Sequence, residues 1–309
     1  MRHKMTSSPT PNPDLLKHIQ LLVRLHELIR AGLGDSSEAD ALRDQLDTCW
    51  IRLDQGEKEL VRGLSTDLHT LGRSVSSGEY DDVIVLKVGQ AIVEDKWPEA
   101  ISLLRTKDSG VSPVTGSYFR GLYWAEVKLF DVAILFFQDA MRLDPTYEVF
   151  VLTAHVQAGR AAEIAVRAQE IASRSDNWIL VLWAAVVLFV WADEMPAEAA
   201  VAIHRQAIDA ARRGLAFVAG PSDDQWKFLR VNANLNLALS CEHLGDKSAA
   251  LKACEDALRI DPNNFNALMV FGWLNYPGNR TGDRSDFRSQ VRRTLIPSRI
   301  EAHVAKGKA

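Results

Sequence analysis

The chain has 309 residues, 47% of them hydrophobic and 25% charged, with a formal net charge of −4. This is the balance of a folded globular protein, and the mild charge excludes a global field that steers it to nucleic acid or a membrane. Cys49, Cys241 and Cys254 make no C-x-x-C pair, which excludes zinc-ribbon and thioredoxin-like motifs; free thiols fit a reducing, cytoplasmic setting.

Residues 1–13 (MRHKMTSSPTPNP) are basic, then rich in Ser, Thr and Pro, and read as a disordered leader. Residues 14–75 read as an N-terminal helical segment of about three helices. The first carries the stripe Leu15, Ile19, Leu22, Leu25 and Ile29 and ends at Gly32 and Gly34. Asp35 and Ser36 are candidate N-caps of the second, Asp35 having capping-box spacing to Glu38. Asp54 opens the third, which should bury Leu60, Val61, Leu64 and Leu68, with Trp50 in the link between the two. Ser74–Asp82 is polar and reads as a linker.

From Asp82 the chain repeats. In LALSCEHLGDKSAALKACEDALRIDP, Ala238 is followed by Cys241, Ala250, Cys254, Ala257 and Pro262. The same offsets recur in GLYWAEVKLFDVAILFFQDAMRLDP, as Gly121, Trp124, Ala133, Phe137, Ala140 and Pro145. Small residues let two helices approach, bulk beside them fills the gap, and proline stops the second helix. These stretches resemble the tetratricopeptide repeat, a helix–turn–helix unit of about 34 residues. Weaker copies keep the offsets at Val88, Ala91, Ala100 and Leu104, and at Leu188, Trp191, Ala200, His204 and Ala207. In the latter unit the second helix should run to about Phe217, before Gly220-Pro221. A copy near Gln157–Ser173 fits with either Ile164 or Ala165 setting its register. Phe265–Tyr276 reads as a further opening helix used as a cap.

The expected fold is therefore all-α: a solenoid of stacked TPR-like hairpins over 82–276, about five units plus a capping helix, behind the N-terminal helical segment. Trp178–Ala192 holds fifteen residues without a charge. That is short of the roughly 20 apolar residues of a membrane span, so a buried helix is expected and no membrane partner. Because this run is apolar all round and must be covered, it also motivates a homo-oligomer.

Chemistry-bearing motifs are scarce. The eight histidines form neither H-x-x-x-H nor H-E-x-x-H, and phosphate-cradling glycine loops and G-x-S-x-G are absent. Neither an enzyme, nor a metal, nor a cofactor is expected. His204 stands in the slot of Phe137 and reads as a core residue; Cys241 and Cys254 should face each other across one hairpin.

The resemblance implies a groove lined by opening helices that takes a protein or peptide partner. Arg230, Asn232, Asn236 and His243 lie on the opening helix of the clearest unit, where asparagine offers both donor and acceptor to a peptide. Asn236 could match an Asn with which some relatives grip a carboxylate, but the accompanying lysines are replaced by Tyr118 and Leu122. Tyr118 then adds an aromatic contact to the groove. The basic tail, 277–309, carries eight Lys and Arg against three acids, while the rest of the chain has 28 against 37. Arg284, Arg288 and Arg292, spaced by four, would form one basic stripe on a helix. The expected function is a non-catalytic protein-binding scaffold; the alternative is an adaptor that binds nucleic acid or another anionic surface through this tail.

Overall fold

The computed structural model describes residues 12–74, 80–106, 110–217 and 227–275. They form fourteen α-helices, one short 3₁₀ turn at Pro145–Tyr147, and no strand among the described residues. Of the expected leader, 1–13, residues 1–11 lie outside the described residues, and Asn12 and Pro13 open the first helix. The tail also lies outside the described residues.

Three helices come first: α1 (Pro13–Arg30), α2 (Ser37–Trp50) and α3 (Gln55–Leu68). Asn12 caps α1 by accepting from the Asp14 amide. Ser36, not Asp35, caps α2: its hydroxyl accepts from the Ala39 amide, so the Asp35–Glu38 spacing is not used as a capping box. The capping box forms one helix later, between Asp54 and Glu57. Trp50 is the last residue of α2 rather than part of the link. Its half-buried ring lies 5.9 Å from that of His18 and carries the Arg62 guanidinium at 5.1 Å.

Five helical pairs follow, with one helix over: α4 (Asp82–Val93) with α5 (Trp97–Thr106), α6 (Pro113–Glu126) with α7 (Phe130–Leu143), α8 (Glu148–Gln157) with α9 (Ala161–Arg174), α10 (Trp178–Glu194) with α11 (Ala197–Phe217), α12 (Lys227–His243) with α13 (Lys247–Ile260), and α14 (Phe265–Asn275). Helices adjacent in sequence pack on one another along the array, giving an all-α solenoid.

One turn is reused four times. Asp95, Lys128, Gly159 and Gly245 all have positive φ, between 62° and 81°. Each sits two residues before its second helix. The amide after each reaches back to the opening helix: Lys96 to the Ala91 carbonyl at 2.8 Å, Leu129 to Trp124, Arg160 to His155 and Asp246 to Cys241 each at 2.9 Å. These bonds satisfy carbonyls that a helix end leaves open. Counting five residues on from the turn gives Ala100, Ala133 and Ala250, and in α9 it gives Ile164. That settles the register, although Ala165 beside it is the more deeply buried of the two. The α10–α11 pair turns differently, through an extended Met195. Its second helix does run to Phe217, and the added length packs on α10: a Cβ on Gly214 would meet Leu182 at 2.6 Å. The Gly220-Pro221 break lies outside the described residues.

Helix α10 is covered by its own chain. Val181 through Phe189 are all buried, and α8, α9, α11 and α12 lie against it. Its apolar character therefore needs no second copy. Among the described residues no helix is long and apolar enough to cross a membrane.

The N-terminal helices share a core with the array: Leu15, Ile19, Val61, Leu64 and Leu68 belong to the apolar cluster that continues through Leu104, Trp124 and Phe137. Two buried carboxylates fasten the junction. Asp67 of α3 accepts from Arg105 (2.7 and 3.0 Å), Arg120 (3.2 Å) and the Trp124 indole (3.2 Å). Asp139 of α7 accepts from the Gly72 amide at 3.0 Å and from the Ser117 hydroxyl at 2.7 Å. Gly63 makes room for the first contact, since a Cβ there would stand 2.6 Å from Arg105 Nη2.

Candidate functional site

In a stack of hairpins the opening helices carry the residues a partner would meet, so their exposed faces define the candidate site. On most of them no such face is open. In α12 every residue from Val231 to Glu242 is buried. Twelve consecutive buried positions go more than three times round a helix, which leaves no open side. In α6, Tyr118, Phe119, Leu122 and Ala125 are likewise buried.

This bears on the residues singled out in the sequence. Tyr118 is buried in an aromatic nest, its ring 4.7 Å from that of Phe150 and 5.0 Å from that of Tyr147. Burial pushes its phenol well above the usual tyrosine range. The structure thus gives Tyr118 a packing role in place of an open aromatic contact. Asn232 and Asn236 are on the expected helix but buried. The Asn236 amide donates to the Asn232 carbonyl at 3.0 Å, and Asn234 donates to the Arg230 carbonyl at 2.9 Å. The Asn236 amide that was to hold a peptide is thus spent inside the helix, the usual competition of Asn with a helical backbone. Asn236 Oδ1 has no hydrogen-bond partner. Arg230 and His243 are half-buried. Arg284, Arg288 and Arg292 lie outside the described residues.

A second constellation has the outline of a catalytic relay. His204 Nδ1 is 3.0 Å from the Ser240 hydroxyl, and Nε2 is 3.8 Å from the Asp193 carboxylate. The His243 ring lies 4.5 Å away. Ser240 and His204 are fully buried, and a nucleophile must meet its substrate, so the set reads as a hydrogen-bonded core. Both Cys241 and Cys254 are free and buried. Cys254 Sγ contacts the Ala267 carbonyl of α14 at 3.2 Å, while the Cys241 thiol is held by Arg212 of α11. Burial pushes both thiols up, Cys254 to about 12, so neither is a ready nucleophile.

Two features that sequence reasoning missed are open to solvent. A cleft of about 540 Å³ runs between α1 (Leu16, Ile19, Val23) and the α6–α7 turn (Leu129, Phe130), rimmed by Arg24, Glu27, Asp131 and Arg160. The rim charges largely pair among themselves, Arg24 with Glu27 and Arg160 with Asp131. The other is α4. Among the described residues it alone of the opening helices that start a pair shows a broad apolar face, with Val83, Leu86 and Val93 at 56%, 71% and 59% exposure. The signal was present in DVIVLKVGQAIV, which holds more apolar positions than one packed face requires.

Residues 231–264 match the family model of the tetratricopeptide repeat. This is the α12–α13 pair together with the turn that leads to α14. No curated protein matches the chain, and no solved structure does.

Proposed function

From the premise that this chain carries a tetratricopeptide repeat within a stack of helical pairs, we propose that it is a protein-interaction scaffold with no chemistry of its own. The observation that carries the reading is the repeat itself: residues 231–264 match the family, and four neighbouring pairs build the same kind of unit around it. Proteins of this family generally hold partners rather than transform them. The alternative, an adaptor working through the basic tail, is motivated by the charge segregated into residues 277–309. Capture from native lysate at low and high salt separates the two. Full-length protein is run beside the full-length Arg284→Ala/Arg288→Ala/Arg292→Ala variant. Protein partners that persist in high salt and in the variant support the scaffold. Nucleic acid that is lost with both supports the tail, because phosphate contacts release counter-ions and weaken steeply with salt.

A further inference from the structure

We infer that the exposed face of α4 is a docking surface for an amphipathic helix whose apolar stripe is flanked by Lys and Arg. The inference rests on the scaffold reading and names the partner's chemistry. At 100° per residue, Val83, Leu86 and Val93 fall within an arc of about 80°, opposite Val88 and Ile92, which face the core. The stripe spans three turns, about 15 Å, which matches ten or so residues of a facing helix. Lone exposed apolar side chains are ordinary on a protein surface; three along one face of one helix, interrupted only by Gln90, mark a contact surface.

The polar groups of α4 decide the shape of the occupant. An extended peptide needs a row of donors and acceptors for its backbone, and α4 offers no such row: its own backbone is bonded internally, and the Gln90 NH2 within the stripe is engaged with Glu94 at 2.7 Å. A helix brings its backbone already satisfied and needs only an apolar face. The charges decide the flanks. Residues 81–99 carry five carboxylates against two lysines. Asp81 and Asp82 stand at one end of the stripe, and Glu94 and Asp95 at the other, with Lys96 paired to Glu94 at 2.7 Å. Basic flanks gain in this field, and acidic ones are repelled.

The test uses full-length protein and two labelled synthetic peptides in fluorescence anisotropy. Both are designed 14-residue helices with Leu along one face; one has Lys and Arg on its flanks, the other Glu. The basic peptide is expected to bind and the acidic one not. Leu86→Gln should weaken binding about tenfold or more, the effect of taking a leucine out of a contact. Asp81→Asn/Asp82→Asn, which keeps a capping side chain, should weaken it and flatten its salt dependence. Circular dichroism confirms that the variants fold. Equal binding of both peptides, or wild-type binding by Leu86→Gln, overturns the inference. So does self-association of the wild type that Leu86→Gln abolishes in light scattering, since the occupant is then a second copy. Lysate capture with Leu86→Gln separates the two levels of reading. Partners retained by this variant leave the scaffold standing without this surface, whereas no partner for either protein removes the scaffold as well.

Discussion

A Cβ placed on Gly121 would lie 2.5 Å from Cε1 of Phe137. The opening helix of this pair therefore has glycine there because its partner's ring occupies the space. Gly272 of α14 is the opposite case, with nothing within 4 Å of its Cβ position. Gly121→Ala should destabilise by about 1–3 kcal/mol through overpacking. Gly272→Ala should stabilise by about 0.5–1 kcal/mol by restricting the unfolded chain. Urea midpoints moving in opposite directions for the two variants is the expected result; parallel shifts would show that the slots are not distinguished.

Asp67 is fully buried and shared by Arg105, Arg120 and Trp124. Removing one member of a buried ionic cluster costs about 3–5 kcal/mol, because the charges left behind keep their desolvation penalty. Asp67→Asn is expected to lose stability on that scale, measured by denaturant unfolding. A loss under about 1 kcal/mol, the range of exposed pairs, would mean that water reaches the junction.

The α1 face carries two buried histidines. Burial lowers the pKa of His18, with the Leu46 backbone and Asp47 opposing. Burial also lowers that of His26, helped by His69 and Arg30 and opposed by Glu27. Both are therefore neutral in the fold, and the unfolded chain takes up protons first. Stability is full above the ordinary value of 6.5 and falls as the pH drops below it. The unfolding midpoint should decrease between pH 7 and pH 5, and His26→Leu should reduce that decrease. An unchanged pH slope in His26→Leu would assign the effect to other groups.

Lys128 holds the left-handed turn with φ 64°, a conformation that costs a side chain about 1 kcal/mol. Lys128→Gly should raise stability by roughly 0.5–1 kcal/mol, less whatever the contact of its ammonium with the Phe130 ring contributes. A destabilised variant in thermal unfolding would show that this contact outweighs the backbone strain.

Much of the array was legible in the sequence, because close helix packing forces small residues into fixed places such as Gly121, Ala133 and Ala250. The α9 register was not, since Ala161, Ala165 and Ala168 are interchangeable small residues along one face; Gly159, a backbone signal, decides it. The junction with the N-terminal helices was hidden because Asp67 reads like any surface acid, and its partners lie 38 to 57 residues away. The candidate site was legible only in outline. Periodicity places Tyr118, Asn232 and Asn236 on opening helices, but whether they meet water depends on neighbours that no local pattern encodes. The open face of α4 could have been read from its surplus of apolar positions.

The Asp67 junction also fixes where this protein can be divided. The polar stretch after α3 looks like a natural cleavage point, yet the array beyond it draws a counter-ion, and part of its apolar lining, from helices that lie before it. A fragment beginning at Tyr80 would expose Leu104 and its neighbours and take from Arg105 and Arg120 the carboxylate they share. The first three helices thus share one core with the solenoid, and a fragment that lacks them is expected to be less stable than the full chain.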